Sequence, residues 1–237
     1  VSEGKVHDLY AKAVAIEDGA KNRCLLITLD LVGIDQPTSN AIRQKLAKSL
    51  GLANDSISLA CSHTHCGPEF RVQGVPGDDA FGRDAQGALY GRKLEEMLFK
   101  LMAEAIGKLE PATVSRSFAR CGFAMNRRIS TPGGFTLGLN PDGPVDHDVP
   151  LLRIESSEKK LIGLMFGYAC HNTALGPVRK LHGDYAGFAQ RKLEADHPET
   201  ITLFLMGCGG DQDPQPRRHQ EDAEQNGLAL ASAVEAG

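Results

Sequence analysis

Apolar and polar residues alternate along the chain in patterns that predict both strands and helices. Residues 9–16 and 24–34 predict two strands joined by a turn at 17–22, which indicates a hairpin. Apolar residues recur at intervals of three and four between Leu94 and Leu109, and this periodicity predicts a helix that ends before Pro111. Similar patterns predict strands at 56–60, 113–125, 149–154, 161–170 and 201–206, and helices at 37–50, at 186–195 and from about Arg218.

The order of these elements indicates an α/β fold with mixed β-sheets flanked by helices. Hairpins alternate with helices, whereas a doubly wound parallel sheet would alternate single strands with helices. No repeat, low-complexity tract or linker divides the chain, so we expect residues 1–237 to form a single domain. The chain begins without Met and ends inside a helical pattern, and we therefore expect both ends to be cut from a longer protein.

Composition excludes several classes of protein. The 237 residues are 41% hydrophobic and 24% charged, which fits a globular domain with a buried core. The net charge is −4, and the only basic clusters are pairs such as Arg127-Arg128 and Arg217-Arg218, so a nucleic-acid partner is not expected. The apolar segment 161–170 is about half the length that a membrane span needs.

Four predicted strands each end in a polar cluster, as expected of a site built on strand-end loops. The clusters are Ser62-His63-Thr64-His65, Asn126-Arg127-Arg128, His171-Asn172-Thr173 and Gly210-Asp211-Gln212-Asp213. His63 and His65 are two residues apart at a strand end, a spacing that places both rings on one side. An isolated pair of this kind is more often an exposed turn. His171, which follows its own apolar strand, favours a zinc site because zinc hydrolases commonly use His nitrogens and keep one position open.

Two further groups of residues in these clusters have more than one interpretation. Cys61 and Cys66 flank the histidine pair and suit either a mixed Cys/His zinc site or simple packing, and the absence of a Cys-x-x-Cys motif favours packing. Asp211 and Asp213 suit either a base and a ligand or caps for the next helix, and Pro214 favours capping for Asp213. The glycines at 207–210 lack the pattern of a phosphate loop and would let a substrate approach the backbone.

Other polar residues have weaker claims to a function. Asp30 lies inside an apolar strand, where a lone charge is costly, so it needs a partner; a structural pairing explains it at least as well as catalysis does. We expect most of the remaining histidines to be solvated: His7, His147, His197 and His219. His182 is the exception, since Gly183-Asp184-Tyr185 follows it.

Taken in order, the motifs resemble the N-terminal catalytic domain of the neutral/alkaline (non-lysosomal) ceramidases. The resemblance covers nearly the whole chain. Ser-His-Thr-His-x-Gly-Pro is its most specific string, and the other motifs count through their order and spacing. The residues that carry it are Leu29 to Gly33, Ser62 to Pro68, Asn126-Arg127, Ala169 to Thr173, Gly183 to Gly187 and Gly210 to Pro214.

The resemblance implies a function and a set of site residues. The family hydrolyses the amide bond of ceramide to sphingosine and a fatty acid, and it uses zinc. Carried over by motif, His63 and His171 are the expected Zn²⁺ ligands, and His65 and Arg127 face the substrate or stabilise an oxyanion. The family's other ligands, a Glu and a Tyr, lie further along its chain than Gly237 reaches, so we expect an incomplete metal site within these residues.

One departure from the family changes the expected mechanism. The family has a nucleophilic Ser in Gly-Asp-x-Ser-Pro, and this chain has Asp213 at that position. The leading hypothesis is therefore a zinc-dependent amidohydrolase that uses zinc-activated water on a small-molecule or lipid N-acyl amide, with Asp213 or Asp211 as general base. The alternative is a catalytically inactive relative that binds a lipid or glycan through the same pocket. The family also implies a secreted or periplasmic protein that contacts membrane surfaces.

Overall fold

The computed structural model describes residues 2–68, 85–176 and 178–237, so the loop predicted at 67–82 lies outside the described residues apart from Gly67 and Pro68. The described strands are β1 (Ala11–Glu17), β2 (Arg23–Leu29), β3 (Ile57–Cys61), β4 (Ala112–Arg120), β5 (Ala124–Asn126), β6 (Arg128–Thr131), β7 (Gly134–Leu137), β8 (Asp148–Ser156), β9 (Leu161–Tyr168), β10 (Ile201–Met206) and β11 (Gln212–Pro214). The helices are α1 (Gln36–Leu50), α2 (Ala85–Gly107), α3 (Asp184–Asp196) and α4 (Gln220–Ala236). In this part of the chain, no helix combines the length and the hydropathy needed to cross a bilayer.

Two of the sheets form the centre of the fold. The first has the strand order β1-β2-β3, with β1 antiparallel and β3 parallel to β2, which confirms the predicted hairpin. The second has the order β10-β9-β8-β4, in which only β10 and β9 are parallel. Both sheets are therefore mixed, as the element order predicted, and the α/β fold class with flanking helices is confirmed.

Alternate side chains along the strands pack against the helices on one face of each sheet and against the other sheet on the opposite face. On β2, Leu25 and Ile27 pack against apolar residues of α1 and α2, while Leu26 faces the second sheet. On β9, Phe166 packs towards α3 and α4, while Met165 meets the first sheet. Because successive strand residues point to opposite faces, each sheet buries both of its faces. The result is a helix–sheet–sheet–helix stack with three apolar layers.

The strand predicted at 113–125 is interrupted in the structure, and the prediction of one continuous strand is wrong. β4 ends at Arg120, and the chain then turns around the hydroxyl of Tyr168. That hydroxyl donates to the carbonyl of Cys121 at 2.7 Å and accepts from the amide of Ala124 at 3.1 Å. These bonds satisfy backbone groups that leave the second sheet. The chain resumes as β5, which pairs antiparallel with β11.

The segment after Asn126, which was expected to contain only turns and polar loop, also includes a hairpin. β6 and β7 pair antiparallel from Arg128–Leu137 to Thr131–Gly134. The predicted turn at Pro132-Gly133-Gly134 connects them, so the turn residues were identified but the short flanking strands were not. Every residue of both strands is exposed, which explains why no alternation of buried and polar positions revealed them.

The layered arrangement predicts where the stability of the fold resides. Leu193 of α3 is fully buried in the layer between the second sheet and the helices. We expect Leu193→Ala to lower the free energy of unfolding by about 2–5 kcal/mol in urea denaturation, because it leaves a cavity. Leu228→Ala is the control, since Leu228 of α4 is 48% exposed and its truncation should cost under about 0.5 kcal/mol. Equal losses in the two variants would contradict the assignment of this layer.

Candidate metal centre

Three histidines from two strand-end loops meet at one edge of the stacked sheets. Nε2 of His63 lies 3.2 Å from Nε2 of His171 and 3.4 Å from Nε2 of His65. All three ligand nitrogens fall within 4.8 Å of one another, and the described residues contain no other such group. Two nitrogens bound to a tetrahedral zinc ion at about 2.0–2.1 Å lie roughly 3.3 Å apart. The spacing therefore fits a zinc ion.

The local backbone brings the His63 and His65 rings together. β3 ends at Cys61, and His63 adopts a left-handed conformation with φ of 60°, which is uncommon for a residue other than glycine. Its amide donates to the carbonyl of Leu31 at 3.0 Å, which fixes the loop to the end of β2. The two rings share one side, as the spacing predicted, but a turn and not the pleat of a strand puts them there. Strained backbone of this kind is often found at functional sites.

Backbone carbonyls orient two of the three rings. Nδ1 of His63 donates to the carbonyl of Val32 at 2.6 Å, and Nδ1 of His171 lies 3.2 Å from the carbonyl of Gly209. A proton on Nδ1 leaves the Nε2 lone pair free for a metal, which is the usual arrangement of zinc-binding histidines. The bond of His63 to Val32 requires this proton, whereas Nδ1 of His171 lies 3.2 Å both from the Gly209 carbonyl and from Nη2 of Arg127, so it can donate to the first or accept from the second. Nδ1 of His65 has no hydrogen-bond partner among the described residues, and His65 is exposed. His63 and His171 therefore have the surroundings of ligands, and His65 has those of a group that faces solvent or substrate.

Burial and positive charge lower the pKa values of two of the three imidazoles, those of His171 and His65. Burial, followed by the charge of Arg127, lowers the pKa of His171 to about 4. Burial is also the largest cause that lowers the pKa of His65, and His63, Arg127 and Arg217 add to it. A neutral imidazole offers a lone pair at neutral pH, so these two shifts favour metal binding over protonation.

The end of β10 has to approach the end of β9 closely for His171 to find its carbonyl partner. A Cβ on Gly209 would lie 2.7 Å from backbone atoms of Cys170, so this position requires glycine. Gly210 has open space where its Cβ would be. At Gly209, the absence of a side chain makes room for the backbone of Cys170, just after β9. The sequence had suggested instead that these glycines let a substrate approach the backbone.

The pairing of β5 with β11 places Arg127 beside both the histidines and Asp213. Nη1 of Arg127 donates to Oδ1 of Asp213 at 3.1 Å, and Nη2 of Arg127 lies 3.2 Å from Nδ1 of His171. Nη1 of Arg217 donates to the other carboxylate oxygen. Asp213 lies within β11, and α4 begins only at Gln220, so the prediction that Asp213 caps the following helix is wrong.

Asp211 lies next to this ion pair but makes different contacts. It ends a 3₁₀ turn at Gly209–Asp211, and its carbonyl accepts from the amide of Arg127 at 2.7 Å. Its carboxylate forms no hydrogen bond or ion pair with the residues that the structure describes. The Asp211 carboxylate is therefore without a partner among the described residues, whereas both oxygens of Asp213 are engaged by guanidinium groups.

Asp184 and the turn before it link the two histidine loops from the protein interior. In the sequence, this segment stood out only because Gly183-Asp184-Tyr185 follows His182. The Asp184 carboxylate accepts from the amides of Ala174 and Leu175 at 2.6 and 3.0 Å, just after the His171 cluster. Two residues earlier, His182 accepts through its carbonyl from the hydroxyl of Thr64 at 2.7 Å. One turn thus fastens the loop of His63 and the loop of His171. Asp184 is 1% exposed, and His182 is fully buried.

Two other residues from the sequence discussion have structural roles outside the histidine cluster. Asp30 is 6% exposed and accepts from the amide of Tyr10 at 3.0 Å, which supplies the expected structural partner. His7 is 4% exposed, so the expectation that it is solvated is wrong. Its ring fits against Phe188 and fills the space beside Gly187, where a Cβ would lie 2.5 Å from the ring. The space beside Gly187 that the His7 ring fills is created by tertiary packing, so the sequence pattern did not reveal it.

The cysteines support the packing interpretation. All six thiols are free in the structure, and the histidine cluster includes none of them. Cys66 is buried, and its Sγ lies 3.6 Å from the carbonyls of Gly176 and Val178. Burial, and secondarily the charge of Asp30, raises the pKa of Cys61 to about 12. A protonated thiol is a poor metal ligand, so a mixed Cys/His site is not favoured.

Solved structures share this architecture. A crystal structure of neutral ceramidase from Pseudomonas aeruginosa matches the chain with a TM-score of 0.81 and 18% sequence identity, over 98% of this chain and 39% of that one. The chain has a neutral ceramidase fold. A second structure, of a ceramidase complexed with C2, matches with a TM-score of 0.78 at the same identity and coverage.

The similarity to neutral ceramidase is structural and covers part of the larger proteins. This chain spans 39% of the length of the two ceramidases. No family model and no curated protein matches the sequence. The resemblance that the motifs indicated is therefore confirmed at the level of the fold, by neighbours that align over 98% of this chain.

The turn that contains His182 and Asp184 predicts an effect on metal affinity. Asp184→Asn replaces one acceptor oxygen by a donor, so at least one of the Ala174 and Leu175 amides loses its partner. We expect the zinc affinity to fall by about 10–100-fold in a chelator competition assay, since groups that hold ligands in place have effects of this size. Asp196→Asn at the exposed end of the same helix is the control and should leave the affinity unchanged. An unchanged affinity in Asp184→Asn would show that the turn does not hold the ligands.

The buried His182 predicts a dependence of stability on pH. Burial lowers its pKa from 6.5 to about 4 in the folded chain. The unfolded chain therefore binds the proton first, and stability falls as the pH drops from about 6.5 towards 4. His182→Gln removes this contribution, so its unfolding free energy should fall less steeply than that of the wild type between pH 7 and 5. Asp30 and Asp184, whose pKa values burial raises, act with the opposite sign in both proteins. Parallel curves would contradict the assignment.

Proposed function

We propose that residues 1–237 form one catalytic domain of a zinc-dependent amidohydrolase of the neutral ceramidase type. It hydrolyses an N-acyl amide bond, either that of ceramide, giving sphingosine and a fatty acid, or that of a related lipid or small-molecule amide. The observation that carries the proposal is the 3.2 Å separation of the His63 and His171 Nε2 atoms, with both Nδ1 atoms directed at carbonyls. The neutral ceramidase fold supports it.

The donor set fits zinc better than harder cations, because imidazole nitrogens suit zinc while magnesium and calcium prefer oxygen. His63 and His171 would hold the ion, and His65 would face the substrate or join them. A zinc ion at this position supplies Lewis acidity, which polarises an amide carbonyl and lowers the pKa of water. The catalytic role of the chain then depends on where it places positive charge and a proton acceptor.

Arg127 is the group that would stabilise negative charge on the amide oxygen. Its guanidinium is fixed by Asp213 and by the carbonyl of Gly210, to which Nη2 and Nε donate at 2.9 and 3.1 Å. A donor held in place before the reaction stabilises charge without having to reorganise. His65, with its lowered pKa and free Nδ1, can add a second donor on the exposed side.

Asp213 and Asp211 have different roles in the proposed reaction. Asp213 accepts from Arg127 and Arg217 with its two oxygens, so we assign it the positioning of these arginines. Asp211 retains unpaired oxygens among the described residues, and we assign it the role of general base. A base must have an oxygen free to accept the proton, which is the property that separates the two.

The alternative function is binding without catalysis. Asp213 stands where the resemblance places a nucleophilic Ser, and its ion pairs leave no nucleophile there. A chain that had lost the reaction would bind a lipid or glycan in the same pocket. In either case the resemblance supports a secreted or periplasmic protein that contacts membrane surfaces. The net charge of −4 supports a partner other than nucleic acid.

Metal analysis combined with an activity panel tests the proposal. Full-length protein should retain about one zinc ion after dialysis and should hydrolyse at least one member of a fluorogenic N-acyl panel that includes ceramide. We expect His171→Gln to lose the zinc and to reduce hydrolysis by at least about 100-fold. His219→Gln, at an exposed histidine before α4, is the matched control. Protein that binds no zinc and hydrolyses no amide would sink the proposal and favour the binding alternative.

A further inference from the structure

Arg127, Arg128 and Arg217 come from two arginine pairs that are far apart in the chain, and they lie together beside the candidate metal centre. Nη2 of Arg127 and Nη2 of Arg128 each donate to the same carbonyl oxygen, that of Gly210, at 2.9 Å. Arg217 joins them through the carboxylate that it shares with Arg127. Two guanidinium groups therefore bind one carboxylate, that of Asp213, and the third, that of Arg128, shares the Gly210 carbonyl with Arg127, in a chain whose net charge is −4.

This cluster carries more positive charge than its ion pairs neutralise. Arg127 and Arg217 share Asp213, and Arg128 forms no ion pair with any residue that the structure describes. Guanidinium groups that bind the same oxygen lie within about 6 Å of each other, where like charges repel by a few kcal/mol at an effective dielectric constant of 20. A zinc ion in the neighbouring site would add two more positive charges. Such an arrangement is stabilised when an anion binds to it.

The hydrogen bonds show which arginine has donors to spare. Arg217 uses Nη1 on Asp213 and Nη2 on the carbonyl and hydroxyl of Thr173, both at 3.2 Å. Arg127 uses all three of its nitrogens on Asp213 and Gly210. Arg128 is exposed, and its Nε and Nη1 have no partner among the described residues. Nη2 of Arg128 gives one of its two N–H groups to Gly210, so the other can pair with Nε or with Nη1. Arg128 can therefore bind an anion with two parallel N–H groups along one edge of its guanidinium, the geometry that suits a carboxylate.

Arg128 is also close enough to act on a substrate at the metal site. Three consecutive contacts connect its guanidinium to the His171 ring: 2.9 Å to the oxygen of Gly210, 2.9 Å from that oxygen to Arg127, and 3.2 Å from Arg127 to His171. The path from Nη2 of Arg128 to Nδ1 of His171 is therefore at most 9.0 Å long, so one small substrate can reach both the histidines and Arg128.

We propose that the site selects N-acyl amides that carry a carboxylate close to the scissile bond, as N-acyl amino acids do, and that Arg128 binds this carboxylate. The inference rests on the proposed function and specifies its substrate class. Hydrolysis breaks the amide C–N bond; water supplies hydroxyl to the acyl carbon and a proton to the amine, which gives a fatty acid and an amino acid. Neutral ceramide would use the same centre without this contact.

A matched pair of substrates tests the proposal. N-dodecanoylglycine and N-dodecanoylglycinamide have nearly the same size and differ in the negative charge of the carboxylate. We expect the full-length wild type to hydrolyse the glycine compound with at least about tenfold higher kcat/KM, which corresponds to about 1.4 kcal/mol. The preference should appear mainly in KM and should shrink as salt rises from 0.05 to 0.5 M, because exposed charges are screened.

Two variants test whether the preference for N-dodecanoylglycine arises from Arg128. Arg128→Gln should reduce the ratio of the two kcat/KM values to within about twofold of one. Arg92→Gln removes an exposed arginine of α2 and should keep the wild-type ratio. Equal rates for both substrates in the wild type, or an unchanged ratio in Arg128→Gln, would overturn the proposal while leaving the proposed hydrolase intact.

The failure of the proposed function has a different signature. If neither compound is hydrolysed, equilibrium dialysis of the same pair against the same proteins still decides the question. Tighter binding of N-dodecanoylglycine by the wild type, lost in Arg128→Gln, would support the carboxylate contact in a protein that only binds. Equal affinities for the two compounds would overturn it.

Discussion

The candidate centre depends on one buried carboxylate that bonds to backbone amides. Asp184 is almost fully buried, and no lysine or arginine lies within ion-pair distance among the described residues. It is stabilised instead by the amides of Ala174, Leu175 and Tyr185, which oppose the effect of burial on its pKa. A buried carboxyl group that depends on these hydrogen bonds tolerates little movement of its donors. The loop that carries His171 is therefore fixed from the protein interior, and Arg217 and the Gln212 carbonyl hold it from the side of β11.

The remaining constraints come from strand ends. The carbonyls that orient His63 and His171 belong to Val32 and Gly209, residues just beyond β2 and β10. Backbone groups at these positions have no further strand to pair with, so they are available to side chains. A parallel arrangement of β9 and β10 sends both chains out of the sheet at the same edge. The site therefore uses backbone carbonyls that are not paired within the sheets.

Much of the fold and part of the site follow from the sequence. The strands with continuous apolar runs and the periodic helix at 94–109 were identified because local pattern decides them. The histidines were found because polar residues directly after apolar strands are unusual. Three-residue strands such as β5 and β11 are too short to show a pattern, so the contact of Arg127 with Asp213 stayed hidden. The burial of His7 depends on a space beside Gly187 that only tertiary packing creates.

The two ligand candidates belong to different sheets, and this has a consequence for the whole chain. His63 follows β3 of the first sheet, and His171 follows β9 of the second. Apart from the apolar layer, the turn that contains His182 and Asp184 joins the two histidine loops at this edge through hydrogen bonds. A bound ion would act as a cross-link between them, comparable to a disulfide whose formation depends on metal concentration. Sliding of one sheet over the other would then require a coordinate bond to break in addition to these hydrogen bonds, so the resistance of the stack to shear would rise with metal occupancy.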